Sequence, residues 1–393
     1  MKIVVALPSS SGQLSGVPRH AINLARCLLS RPEVTEIHLM AAPWQMDFVA
    51  DAAPCADARL HLHAAPIGNS ASSRNFWYYA QLPKQAAQLK ADIVHLAYPV
   101  PVRKGAFHCP VVVTLHDLYP YDIPENFGFP KVLFNRAVLQ QCLRRVDAIA
   151  CVSKSTLTRL EQLNPLLTRK ASVIYNSVEP FADSAAKAPP QWRGLPFLLC
   201  VAQHRRNKNI LLVLEVFQRL LQAQQIASHT QLFIVGIQGP ETSAIERFIA
   251  ASGLSKSVVL LNGISDAQLH WCYLNCGLVV AASTLEGFGL PVAEALLAGC
   301  SVVCSDIPAF REVGSVHCQY VSLGPHQVES FASALRATLE LHKPQPIALP
   351  HLSPDFIAEE YMKLYRSLLP PPAVNVRSKQ AAFTSVIERR HLV

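Results

Sequence analysis

Short apolar runs and segments of helical spacing alternate along most of the chain. Apolar runs stand at Ile3–Leu7, Ile37–Ala41, Ile93–Leu96, Val111–Thr114, Ala148–Val152 and Ser172–Ile174. Runs of this length without polar alternation read as strands buried on both faces. Between several of them, as at Arg19–Ser30 and Val132–Arg145, apolar residues recur at helical spacing. This strand–helix rhythm predicts a parallel sheet covered by helices.

The rhythm breaks near residues 181–195, where Ala182–Pro190 has the small, polar and proline-rich composition of a linker. It then restarts with strands at Phe197–Val201, Gln231–Val235, Val258–Leu261, Leu278–Ala282 and Ser301–Ser305. Helices are expected at Ile210–Ala223, Ser243–Ala251, Asp266–Asn275 and from Pro291 to a stop at Gly299. Tyr361, Leu364, Tyr365 and Leu368 give a terminal helix an apolar face. The expected fold class is α/β, with two Rossmann-like doubly wound domains facing a central cleft. The expected spans are 1–185 and 190–350, then a helix at 351–370 and a poorly ordered tail at 371–393. Ligands of such sheets sit beyond the carboxyl ends of the strands.

One such end carries most of the candidate chemistry. Ser283-Thr284-Leu285-Glu286-Gly287-Phe288-Gly289-Leu290-Pro291-Val292-Ala293-Glu294 follows an apolar run and leads into a helix. Free backbone N–H groups and a partial positive charge at the helix start suit a phosphate or diphosphate. The glycines permit close backbone approach. Glu286 and Glu294 can accept hydrogen bonds from sugar hydroxyls. A nucleotide diphosphate sugar has all of these parts. Each feature also has a structural explanation, because strand–glycine–helix turns are common and a helix start favours glutamate.

Composition narrows the field. Of the 393 residues, 50% are hydrophobic and only 16% charged, which fits a globular protein with a large core. No apolar run reaches the roughly 18 residues of a membrane span. The opening residues read as a strand instead of a signal peptide, so a cytoplasmic location is expected. The 11 cysteines are scattered; Cys151, Cys200, Cys300 and Cys304 lie in or beside apolar runs and are expected to be buried free thiols. His270, Cys272 and Cys276 match no zinc spacing, so no metal is expected there. The net charge of +8 leaves nucleic acid, an anionic membrane and an anionic substrate open. Nucleic acid would want clustered basic residues with interleaved aromatics. The basic residues here are dispersed, so no nucleic-acid partner is expected.

Glu286-Gly287-Phe288-Gly289-Leu290-Pro291 with Glu294 resembles the E-x7-E signature of the retaining glycosyltransferases of family 4, which have the GT-B fold. Further segments agree in order: Ser15-Gly16-Val17-Pro18-Arg19-His20, Thr114-Leu115-His116-Asp117, Gln203-His204-Arg205-Arg206-Asn207-Lys208-Asn209, Asn262-Gly263-Ile264, and Ser305-Asp306-Ile307-Pro308 with Glu312. The resemblance implies that Lys208 and one of Arg205 and Arg206 hold the donor diphosphate. It places Glu294 on the ribose hydroxyls and Glu286 and His116 at the transferred sugar. Gly287, Phe288, Gly289 and Leu290 would line the donor site, with Gly16 near the phosphates or acceptor and Arg19 a further contact. The terminal helix is expected to cross back to the first domain. No pair of aspartates stands two apart, so the metal motif of the other main glycosyltransferase fold is absent. Neither a cofactor nor a divalent metal is expected.

The implied reaction transfers a hexose, mannose or similar, from a GDP- or UDP-sugar to a glycan or lipid-linked acceptor in cell-surface polysaccharide biosynthesis. An inactive nucleotide-sugar-binding protein of the same fold is the alternative, and intact Glu286, Glu294 and Lys208 argue against it. The departures are a single glycine near residue 16, Asn209 where glycine is common, and Asn176-Ser177 where Asn-Gly is frequent. The helix Lys131–Arg145 sets Val132, Leu133, Val138, Leu139 and Leu143 against Lys131, Arg136, Arg144 and Arg145. It raises peripheral association with the inner face of an anionic membrane, against packing on its own sheet.

Overall fold

The computed structural model describes residues 1–14, 16–179 and 186–370. Residues 182–185 of the linker-like stretch, Ser15, and the tail at 371–393 lie outside the described residues. The first sheet is formed by β1 (Lys2–Ala6), β2 (Glu36–Ala41), β3 (Leu60–Ala64), β4 (Ile93–Leu96), β5 (Val111–Leu115), β6 (Ala148–Cys151) and β7 (Ala171–Val173). Its order is β3-β2-β1-β4-β5-β6-β7, and every pairing is parallel. The second sheet is formed by β8 (Phe197–Val201), β9 (Gln231–Val235), β10 (Val258–Leu261), β11 (Val279–Ala281), β12 (Val302–Ser305) and β13 (Gln319–Val321). It runs β10-β9-β8-β11-β12-β13, again all parallel.

The strand order fixes where a ligand site can form. Each sheet reverses its direction of growth once, between β1 and β4 in the first and between β8 and β11 in the second. Helices leave on opposite faces at such a point and open a crevice beyond the strand ends. The segments after β8 and β11 are the basic segment at 203–209 and the loop at 283–289. The loops that follow β1 and β5 lead to Gly16 and His116. Topology therefore brings the candidate residues from both domains to one cleft.

Continuous apolar strands demand cover on both faces. One face of the first sheet buries Ile3, Val5, Ile37 and Leu39 against the helices Gly16–Leu29 and Pro354–Leu368. The other buries Val4, Val94 and Val113 under Trp77, Tyr78 and Leu143. The terminal helix starts at Pro354 behind Ser353, whose hydroxyl accepts from Phe356 N at 3.3 Å. It inserts Ile357, Tyr361, Met362 and Tyr365 into the first sheet's core, so the chain returns to that sheet after completing the second. Cys151, Cys200, Cys300 and Cys304 are buried free thiols.

Two strands were not legible from apolar runs. β3 reads Leu-His-Leu-His-Ala and is a half-polar edge strand. β13 has three residues at the opposite edge of the second sheet. Helices at Pro308–Gly314 and Gln327–Leu339 also lie beyond the expected elements. The helix expected from Pro291 starts one residue earlier, at Leu290.

Candidate active site

The loop after β11 reaches the cleft because two glycines allow backbone paths closed to other residues. Gly289 has φ +114° and precedes the helix Leu290–Leu297. A Cβ on Gly287 would lie 1.8 Å from the His116 carbonyl oxygen, so the two domains touch there backbone to backbone. Ser153 Oγ and Thr156 Oγ1 donate to Gly287 O at 2.6 and 3.1 Å. Phe288 is buried and packs on Tyr175 at 6.0 Å between centroids. Leu290 is partly buried and opens the helix.

Lys208 ends a short turn after β8, and Asn209 follows at φ +52°. Asparagine tolerates this left-handed backbone better than most side chains, which explains how it serves where glycine is common. Lys208 Nζ meets Glu286 Oε1 at 2.5 Å, and Ser283 Oγ donates to the same oxygen at 2.7 Å. The Lys208 and Glu286 side chains are 17% and 9% exposed. A pair this enclosed is screened little by solvent. Arg205 and Arg206 are exposed and line a concavity of about 370 Å³ with Asn209, Ile210, Leu211, Glu241 and Ile245.

Glu294 lies on the inward side of its helix. Tyr273 OH donates to Glu294 Oε2 at 2.9 Å. Burial pushes the Glu294 carboxyl above its ordinary range, while Arg19 and the Tyr273 hydroxyl pull it back. Arg19 belongs to the first domain and crosses the cleft, donating to Asp266 Oδ1 and Oδ2 at 2.7 and 3.2 Å. Three polar groups, Arg19 from the first domain and Tyr273 and Asp266 from the second, thus converge around Glu294. Gly16 is exposed at the start of the helix Gly16–Leu29 that carries Arg19.

His116 follows β5. Its Nε2–H donates to Ala97 O at 2.9 Å, which leaves Nδ1 as an acceptor. Burial lowers its pKa to about 4, so the ring is neutral at physiological pH. Asp117 is raised to about 6, chiefly by burial, and feels Arg205 and Lys208 across the cleft. The candidate residues of the two domains therefore face one another, with Arg205 and Arg206 at the margin.

Several contacts at this site could not be read from the sequence. Tyr273 and Asp266 hold Glu294 and Arg19 from other elements, whereas Ser283 holds Glu286 from within the same loop. Glu312 crosses between domains and accepts from Lys154 N and Ser155 N at 2.7 and 3.2 Å, capping the helix Lys154–Leu163. Asn207 Nδ2 donates to Tyr119 OH and Leu285 O at 3.3 and 3.1 Å. Their positions follow from topology. Among the described residues no cluster of three or more His, Cys, Asp or Glu is arranged to hold a metal ion, and no helix is long and apolar enough to cross a membrane.

Two Rossmann-like parallel sheets whose switch points share one cleft define the GT-B class. Residues 14–180 match the model described as Glycosyltransferase Family 4, and residues 185–346 the model described as Glycosyl transferases group 1. The chain belongs to this family of glycosyltransferases. It is 28% identical over 225 residues to the O-antigen chain mannosyltransferase RfbU of Salmonella typhimurium. That match covers 57% of this chain and 59% of RfbU, less than two thirds of the relative's length. It is 25% identical over 358 residues to the GDP-mannose:cellobiosyl-diphosphopolyprenol alpha-mannosyltransferase of Xanthomonas campestris, covering 86% of this chain and 87% of that one. The structure of Anabaena HepE in complex with UDP and glucose has a TM-score of 0.62 and 17% identity, covering 98% of this chain and 99% of that chain.

Proposed function

We propose that the protein is a retaining hexosyltransferase that moves mannose from GDP-mannose to a hydroxyl of a lipid-linked glycan during cell-surface polysaccharide biosynthesis. The observation that carries this reading is the Lys208–Glu286 pair beside a helix start, facing His116 across the cleft. The similarity to mannosyltransferases supports mannose, and the Xanthomonas relative supports GDP-mannose and a polyprenyl-linked acceptor.

In this reading the donor lies against the second domain. Glu294 accepts from ribose hydroxyls. Lys208, with three donors, serves Glu286 and the diphosphate together. Arg205 or Arg206 and the Gly287–Leu290 backbone complete the diphosphate site, and Gly16 approaches from the first domain. The bond between the anomeric carbon and the diphosphate oxygen breaks, and GDP leaves with its electron pair. The acceptor oxygen bonds to the same face of that carbon, and its proton passes to the departing diphosphate. Stabilising charge on the leaving group is the largest contribution in such a transfer. Cationic side chains and a helix start supply it, without a required divalent ion. Glu286 faces the positive charge that develops at the anomeric carbon, and neutral His116 offers Nδ1 to a sugar hydroxyl.

The acceptor is delivered from a membrane surface at its cytoplasmic face. Phe129, Leu133 and Phe134 are exposed at the start of the helix Lys131–Arg145. That helix also exposes Lys131, Arg144 and Arg145, a combination suited to anionic lipid.

The test is a donor panel of GDP-, UDP-, ADP- and dTDP-sugars with a polyprenyl-diphosphate glycan, with and without EDTA. The expected result is transfer from GDP-mannose, unaffected by EDTA, with the α-anomer retained by NMR. Transfer from a UDP-sugar alone overturns the donor. An inverted product overturns the stereochemistry. Loss of activity in EDTA overturns metal independence. Retention on neutral and anionic liposomes alike, or on neither, overturns the membrane assignment.

A further inference from the structure

A continuous chain of buried hydrogen bonds runs beneath the first domain's side of the cleft. Tyr365 OH lies 2.7 Å from His95 Nδ1, and His95 Nε2 lies 2.8 Å from Thr114 Oγ1. Thr114 Oγ1 lies 3.1 Å from His20 Nε2, and His20 Nδ1 lies 2.8 Å from Asn176 Oδ1. Tyr361 OH stands 3.5 Å from the same threonine oxygen. All six residues are buried. One assignment of protons serves every atom. Tyr365 donates to His95 Nδ1, His95 Nε2–H donates to Thr114, Thr114 donates to His20 Nε2, and His20 Nδ1–H donates to Asn176 Oδ1. Burial holds both imidazoles neutral, with His95 lowered to about 3 and His20 well below its ordinary value.

The chain ends where the fold needs to be tied. Asn176 precedes the described end of the first domain at residue 179, just before the crossing to the second. Tyr361 and Tyr365 belong to the helix that follows the return crossing. His20 is the neighbour of Arg19, which bonds Asp266 in the second domain. Its ring meets that of His116 edge-on, at 4.8 Å between centroids and 87° between planes. His116 hangs from Ala97 O by one bond, and its carbonyl faces Gly287. An apolar set of side chains would fill the same space with less desolvation. A fully connected polar network specifies one arrangement instead.

We propose that this chain is a positioning relay, in which His20, fixed by Thr114 and Asn176, sets the ring plane of His116 and the first turn of the helix Gly16–Leu29 for transfer. The proposal rests on the glycosyltransferase reading above. His20 acts through His116 and is a positioning residue, not a catalytic one. The donor is held by the second domain, so the relay bears on turnover more than on donor affinity.

The full chain is used for the test, with Thr114→Val, Thr114→Ser and Tyr365→Phe. Valine keeps the threonine shape and deletes the hydroxyl that both histidines use, and serine keeps the hydroxyl. Misplacement by an ångström costs up to about a hundred-fold in rate. The expected loss in kcat for Thr114→Val is about ten-fold or more, with donor KM nearly unchanged. Serine should restore most of that loss, and Tyr365→Phe should fall between the two. A lowered Tm with unchanged kcat in Thr114→Val overturns the proposal and leaves the network as packing. Nitrogen-15 NMR of the histidine rings reads the relay without activity. Single tautomers are expected in the wild type, Nδ1–H for His20 and Nε2–H for His116. Thr114→Val strips a donor from His20 Nε2 and Tyr365→Phe strips one from His95 Nδ1. Nitrogen shifts at those two atoms, or His116 ring shifts in Thr114→Val, that match the wild type overturn the relay, even if no nucleotide sugar is turned over. Single wild-type tautomers with no transfer from any donor place the fault in the glycosyltransferase reading.

Discussion

The two sides of the cleft are chemically unlike. The second domain presents charge: Lys208 with Glu286, Glu294 beside Tyr273, and Arg205 with Arg206. The first presents chiefly neutral polar groups, His116, His20 and Thr114, with imidazoles that burial keeps uncharged; Arg19 and Asp117 are its charged exceptions. In the proposed reading the cations on the second side meet the donor diphosphate, and the carboxylate partner of Lys208 comes from the same domain. A charged first side would add repulsion or desolvation each time the domains meet. Small polar contacts join the two, among them Arg19 with Asp266, Ser153 and Thr156 with Gly287, Asn207 with Tyr119, and Glu312 with the helix start at Lys154. Small polar contacts of this kind suit domains that move relative to each other.

The comparison breaks most sharply on its charged side. Lys208→Met should lower kcat by about 10²–10³-fold, the size of effect seen when one donor to a developing anion is lost. It also leaves Glu286 without its cation. Lys208→Arg should recover part of the rate, and Glu286→Ala should fall in the same range as the methionine variant. Steady-state kinetics on correctly folded variants checks this. Retention of a tenth or more of wild-type kcat in Lys208→Met would falsify the assignment of leaving-group stabilisation to this lysine.

A smaller loss, and in a different parameter, is expected at Glu294. In the proposed reading Glu294→Ala removes an acceptor for ribose hydroxyls, and it strands the Tyr273 hydroxyl that donates to it. Hydrogen bonds to charged groups contribute about 1.5–3 kcal/mol, so donor Kd should weaken by roughly ten-fold to a hundred-fold. Isothermal titration with GDP and with inorganic diphosphate separates the causes. Diphosphate binding should be nearly unaltered, and equal weakening of both ligands would mean that the whole loop has shifted.

The neutral side predicts how stability depends on pH. An unfolded histidine titrates near 6.5, whereas His95 and His116 are lowered to about 3 and 4. Below pH 6.5 the unfolded chain takes up protons that the native chain refuses. This stability is complete above 6.5 and is lost as the pH falls toward 4 and 3. Asp117, raised to about 6 from 3.8, has the opposite sign: its contribution is present at low pH and lost as the pH rises through 6. His20 adds to the histidine side, so the net expectation is a Tm that falls on acidification from pH 7 to 5. Asp117→Asn should raise Tm at pH 7.5 by about 2–4 °C and steepen the acid decline. A Tm independent of pH over that range would contradict the buried neutral histidines.

Much of this arrangement was readable before any coordinates. Uniform apolar runs marked the parallel strands because a doubly covered strand needs no polar face. The half-polar β3 and the three-residue β13 gave no such signal, since edge strands are only partly covered. The loop 283–289 and Lys208 were visible because backbone demands and charge sit in consecutive residues. The contacts of Tyr273 with Glu294, Asp266 with Arg19 and Glu312 with the helix start at Lys154 were not, because each partner comes from another element and meets it only after the sheets align. His20 was visible only as part of a weak segment. Its partner Thr114, and His95 and Tyr365 further along the same chain of hydrogen bonds, come from β5, β4 and the terminal helix, and no spacing along the sequence connects them.

The smallest expected effect lies at the cross-cleft ion pair of Arg19 and Asp266. Arg19 and Asp266 are 29% and 57% exposed, and exposed pairs contribute about 0.2–1 kcal/mol. Arg19→Met and Asp266→Asn should therefore each change donor KM by only a few-fold, because domain closure loses one of several contacts. The Arg19 variant should have the larger effect, since Arg19 also lowers the Glu294 pKa against its burial. A double-mutant cycle gives the coupling, and added salt should reduce it because the pair is partly open to solvent. The double variant should then match Arg19→Met alone. Strict additivity of the two changes would mean that the pair does not couple the domains, and that Arg19 acts on Glu294 by itself.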